Sequence, residues 1–130
     1  MYSEENISVI FDFRNQTPTS YEYEGERPSD ELILNALDLI RKFVKSPEPE
    51  INLGIEGINT VIKFIWNIGD FGFVQYTLSE NYLKLYVMDN NSNVLVNDVE
   101  LDHNNYDSID FITRQYIRRI RGIDSRLGEW

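Results

Sequence analysis

Histidine occurs once in this chain of 130 residues, at His103, and cysteine does not occur. An imidazole beside a carboxylate, here Asp102, can serve as a general base. A base needs a group to activate, and no serine or cysteine nucleophile motif accompanies it. One histidine also falls short of the usual metal-ligand clusters. His103 therefore reads as a loop histidine with no catalytic role.

The stretch DNNSNVLVNDVE, residues 89–100, comes close to a calcium-binding loop. Asp89, Asn91, Asn93 and Glu100 fall at its first, third, fifth and twelfth positions, and Val96 takes the apolar eighth. The glycine needed for the sharp turn is replaced by Val94, and the flanking segments alternate as strands where the calcium motif requires helices. A polar hairpin loop is the reading, and no metal or other cofactor is expected. Asp70-Phe71-Gly72 matches a kinase triplet, in a chain far too short for a kinase and lacking its glycine-rich phosphate loop. Glu56, between Gly54 and Gly57, reads as part of a plain turn.

Carboxylates at every second residue are the more informative pattern. They occur as Glu22, Glu24 and Glu26, and again as Asp98, Glu100 and Asp102. On an extended backbone such residues share a face about 6.6 Å apart. Tyr21 and Tyr23, or Val99 and Leu101, then point the other way. Each row suits docking of a basic protein, because acidic rows steer such partners and set on-rate and specificity. Tyrosines beside them are common interface anchors. The expected partner-binding residues are Tyr21, Glu22, Tyr23, Glu24, Glu26, Asp98, Glu100 and Asp102.

The segment ITRQYIRRIRG, residues 112–122, is basic in an acidic chain of net charge −10. Residues 1–110 hold 20 acidic and 7 basic residues, a net of −13; residues 111–130 hold 2 and 5, a net of +3. On a helix Arg114, Arg118 and Arg121 lie opposite the apolar stripe, with Arg119 and Arg126 on its flank. Asp110 and Arg114 form an acid-first pair at the favoured spacing. A solvated helix face explains most of this pattern. Binding of nucleic acid is not expected, since phosphates would meet the negative field of the rest of the chain. Phe111 projects among the arginines, so Phe111, Arg114, Arg118 and the terminal Trp130 are the residues offered for self-association.

These groups need a scaffold, and the length suggests one domain. The hydrophobic content of 42% and charged content of 26% are those of a globular protein. Without cysteine there are no disulfides, which suits a reducing cytoplasm. The acidic opening MYSEENISV does not resemble a secretory signal, and no apolar run approaches the ~18 residues of a membrane span. No membrane association is expected, and the sequons at Asn6, Asn15 and Asn90 read as chance.

Alternation of Ile7, Val9, Phe11 and Phe13 predicts a strand, paired as a hairpin with a second strand at 21–24. A helix is predicted over 29–45, capped by Ser29, with Ile33, Ala36, Leu37, Ile40 and Val44 on its apolar stripe and Leu32, Leu34, Leu39 and Phe43 widening it. A short strand follows the loop after residue 47. Four more are read near 59–67, 71–78, 82–88 and 94–102, separated by turn-rich breaks. Ile58, Val61, Ile62 and Ile65 in the first of these also fit a helix; β-branched and aromatic neighbours favour strand. A second helix is predicted over 107–121, with Asp107 as cap and Gly122 as an early stop. The fold expected is α+β: an antiparallel meander of five to six strands with two helices packed on one face.

The function expected is that of a small cytoplasmic, non-enzymatic binding protein, an inhibitor of a basic effector in the manner of an immunity protein, an antitoxin or a phage-encoded blocker. An enzyme or small-molecule binder is the alternative, and requires a sheet–helix cleft gathering several of Glu56, Asp70, Tyr76, Tyr86 and His103. A structural or oligomeric component is the third reading.

Overall fold

The structure, a computed structural model, describes residues 3–20 and 23–125, with the side chains in that range apart from those at 20, 23, 103–105 and 123–125. Its centre is a five-stranded antiparallel sheet: β3 (Glu50–Glu56), β4 (Asn59–Ile68), β5 (Gly72–Leu78), β6 (Leu83–Met88) and β7 (Val94–Leu101), in the spatial order β3-β4-β5-β6-β7. The strands follow one another as a meander, and the sheet is open. Gly57, at φ +62°, turns β3 into β4, a conformation costly for any residue with a Cβ. A Cβ at Gly72 would stand 2.6 Å from Ile120 Cγ2, so the start of β5 admits no side chain.

Register divides the sheet into two faces. Ile51, Leu53, Ile62, Phe64, Trp66, Val74, Tyr76, Leu83, Leu85 and Val87 fall on one face and enter the core or pack against it. The other face carries Lys63, Thr77, Lys84 and Glu100 across successive strands in one row, then Ile65, Gln75 and Tyr86 in the next. The segment at 59–68 is a strand, as its β-branched content indicates.

The helices lie on the core face. Helix α2 (Asp30–Ile40) starts where Ser29 Oγ accepts the Leu32 amide at 3.1 Å, and it buries Leu32, Ile33, Ala36, Leu37, Leu39 and Ile40. It ends five residues before the predicted stop at 45. The next amides bond three residues back, Lys42 to Leu39 O and Phe43 to Ile40 O, which tightens the last turn and swings Phe43 inward. Phe43 then meets Trp66 edge-on at 4.8 Å and Tyr76 at 5.6 Å between ring centroids. Val44 and Leu34, both read as apolar-stripe residues, are instead exposed.

A six-residue 3-10 helix (His103–Ser108) leads into α3 (Ile109–Ser125). Asp107, predicted as the cap, lies within the 3-10 turn and reaches Lys42 Nζ at 3.4 Å. Gly122 does not stop the helix. Ile109, Thr113, Ile117 and Ile120 are buried. Thr113 Oγ1 donates to Ile109 O at 2.8 Å, which leaves its oxygen to accept from Tyr76 Oη at 2.7 Å, tying α3 to β5.

The N-terminal segment corrects the sequence reading. Residues expected as a strand at 7–13 form helix α1 (Glu4–Phe13). Ser3 Oγ accepts the Asn6 amide at 3.2 Å, and Glu4 and Glu5 fill the first turn, where the helix dipole favours acids. Ile10 and Phe13, three apart, are buried, while Phe11 is exposed. α1 packs on α2 and β3. The expected hairpin between 7–13 and 21–24 is therefore absent. A two-residue strand β1 (Thr19–Ser20) pairs instead with β2 (Tyr23–Glu24) and lies beside β3.

Candidate functional site

The two acidic rows are separated. Glu24 and Glu26 are exposed beside β3, and Glu26 O accepts from Thr60 Oγ1 at 2.7 Å. Asp98, Glu100 and Asp102 are exposed along and just past β7, the opposite edge of the sheet. Four inter-strand gaps of roughly 4.8 Å put nearly 20 Å between those edges. Tyr21 and Glu22 lie outside the described residues, as does the side chain of Tyr23. So do Arg126 and Trp130 and the side chain of His103.

β7 is irregular. Lys84 faces Glu100 and Leu85 faces Val99, but Val87 faces Val96 and Met88 faces Val94. Asn97 and Asp98 therefore share the place opposite Tyr86. Asp98 takes φ +50°, a left-handed conformation that Asp tolerates better than most. Such bulges twist an edge and interrupt its backbone template. Glu100 points to the outer face with Lys84, whereas Val99 and Leu101 point towards the helices. That is the alternation expected from the sequence, with Asp98 displaced by the bulge.

Between β7 and α3 lies an apolar groove of about 570 Å3. Val96, Val99 and Leu101 line it from the sheet, and Phe111, Ile112 and Tyr116 from the helix. Val99 is 51% exposed and Phe111 57%, so the groove is open to solvent along its rim. Leu101 also lines a polar cleft of about 660 Å3 at the end of the sheet, with Asp38, Lys42, Tyr82, Glu100, Asp102 and Tyr106 around it. Burial raises the Tyr106 phenol above its usual pKa. Apolar groove and acidic cleft thus join at the end of β7.

On the outer face Glu56 Oε1 accepts from Tyr82 Oη at 2.8 Å and from Lys84 Nζ at 2.9 Å, and the ammonium sits 4.4 Å from the Tyr82 ring centroid. Partial burial pushes the Glu56 carboxyl up, but the Lys84 and Tyr82 bonds and the charges of Lys84 and Lys63 outweigh it and hold the group below its usual range. Burial and the Glu56 bond raise the Tyr82 phenol, and the Glu56 bond raises Lys84. Every member is thus held in its ordinary charge state, which makes the trio a brace rather than an acid–base device. Sequence reading saw Glu56 as a turn residue or, in the enzymatic alternative, as a cleft carboxylate; the partner strand that gives it this role is far away in the chain.

Among the described side chains, those named for the enzymatic alternative are dispersed. Tyr76 is buried in the core, Glu56 and Tyr86 occupy the outer face, and Asp70 is exposed at the β4–β5 turn. In the calcium-like loop Asp89 Oδ1 accepts the amides of Asn91 and Asn93, each at 2.9 Å, and Oδ2 accepts from Asn93 Nδ2 at 3.2 Å. Its oxygens close the hairpin, and those bonds lower its pKa.

No family model matches the chain, and neither a curated protein nor a solved structure matches it. Among the described residues no helix is long and apolar enough to cross a membrane.

Proposed function

We propose that this protein is a non-enzymatic binding module whose β7–α3 side receives a positively charged protein and, by occupying it, inhibits that protein. The carrying observation is the open apolar groove, whose lining residues Asn97, Val99 and Leu101 alternate along the chain with the exposed acids Asp98, Glu100 and Asp102. Apolar lining gives a desolvated anchor, and the exposed carboxylates of the same strand steer a partner rich in Lys or Arg towards it. A second copy of this chain fits poorly, because the net charge of −10 opposes it. The bulges of β7 direct recognition to side chains in the groove and not to strand addition along its edge. The acids beside β3 fall outside this surface.

The test compares variants against one lysate of the source cell. The native chain, immobilised at low salt, retains a basic protein that salt releases. Asp98→Asn with Glu100→Gln, or Phe111→Ala alone, loses that protein, and Glu24→Gln with Glu26→Gln keeps it. Retention indifferent to the β7 changes, or abolished by the control pair, counts against the proposal.

A further inference from the structure

Helix α3 separates two unlike surfaces. One flank forms the groove with β7. The other carries Arg114, Arg118 and Arg121, spaced four and three apart and therefore on one helical face. With Lys45 and Pro47 from the segment after α2, and with Ile117, they line a depression of about 440 Å3. Lys45, Arg118 and Arg121 are exposed, and Arg114 is half-buried.

Ion pairs are few within this cluster. The chain has 22 acidic residues against 12 basic, so carboxylates are plentiful. Yet among the described residues only Arg114 of these four lies within ion-pair distance of one, its Nε 3.3 Å from Asp110 Oδ2. That carboxylate is already engaged: it accepts from Ser46 Oγ at 2.6 Å, the Ser46 amide at 2.9 Å and the Lys45 amide at 3.2 Å. Arg114 Nε, although buried, gains no hydrogen bond. Like charges three and four apart oppose a helix. A concave site thus gathers cations at some cost to the helix, and a bound anion would offset that cost.

We propose that the depression formed by Lys45, Arg114, Arg118 and Arg121 binds the phosphoryl group of a small molecule. Guanidinium forks match phosphate oxygens in pairs, and several cations around one hollow suit a compact dianion. The volume is that of a small-ligand site, typically about 300–1,000 Å3. A long polyanion would extend beyond the cluster into the acidic surface, whereas one phosphoryl group stays within a screening length of about 10 Å. The site is independent of the β7 groove, and either assignment stands if the other fails.

Calorimetric titrations with inorganic pyrophosphate and with ADP, beside a short single-stranded DNA, test this on the full chain. Saturable binding of pyrophosphate or ADP is expected, weakened at least tenfold by Arg118→Gln with Arg121→Gln. Equal affinities mean that the phosphates alone are held; tighter ADP binding means a nucleotide source. No saturable binding, binding that the variant retains, or DNA bound more tightly than both overturns the proposal. Melting of the unliganded variant supplies a separate readout. Relief of like-charge repulsion should hold or raise the melting temperature, and a clear fall would make these arginines structural and remove the site.

Discussion

At Asp110 one carboxylate joins the start of α3 to the segment that follows α2. Burial works against its charge, but the bonds from Ser46 and Lys45 and the charge of Arg114 outweigh that and lower its pKa. Its folded pKa is thus below the unfolded value of about 3.9. The stabilisation is complete above the unfolded value and disappears as pH falls through the folded one; Glu56 contributes with the same sign. Asp110→Asn should cost about 2–3 kcal/mol in urea unfolding at pH 7, the scale of hydrogen bonds to a buried charge. It should also flatten the loss of stability on acidification below about pH 5. Parallel native and variant curves would show that another carboxylate carries the dependence. Tyr76→Phe removes a donor to Thr113 but leaves Thr113 bonded to Ile109 O, so a loss near 1 kcal/mol is expected by denaturant titration.

The elements differ in how far their sequences announce them. In β4, β5 and β6, alternating residues and turn-rich breaks set the strands within a residue or two. α1 was misread because Ile7, Val9, Phe11 and Phe13 satisfy period two while Ile7, Ile10 and Phe13 satisfy period three. Ser3 and the two following glutamates favour the helix, a local signal the alternation obscured. The early end of α2 was not legible, because Phe43 and Ser46 answer to Tyr76 and Asp110, far along the chain. The acids of β7 and the exposure of Phe111 were readable from spacing. The groove between them was not, since it needs β7 and α3 side by side. The bulge offers an element-scale check. Asp98→Gly relieves a left-handed conformation, so stability should hold or rise by up to about 1 kcal/mol, measured by chemical denaturation. A marked loss would place Asp98 in a structural network.

Across the whole molecule, charge and apolar surface are distributed unevenly. Glu24 and Glu26 lie at one edge of the sheet and Asp98, Glu100 and Asp102 at the other, Lys45, Arg114, Arg118 and Arg121 gather on one flank of α3, and the open groove lies on the other. Asp98→Asn with Glu100→Gln should leave stability within about 0.5 kcal/mol, as exposed substitutions do, while slowing association with a basic partner and reducing its salt dependence. Phe111→Ala should act chiefly on dissociation, the usual effect of losing an apolar anchor. Hydrogen exchange of the chain in complex with the protein it retains tests the central claim most directly. Protection on binding should concentrate on 94–101 and 109–116. Protection confined to 19–26, or to the outer face of β4 and β5, would contradict it.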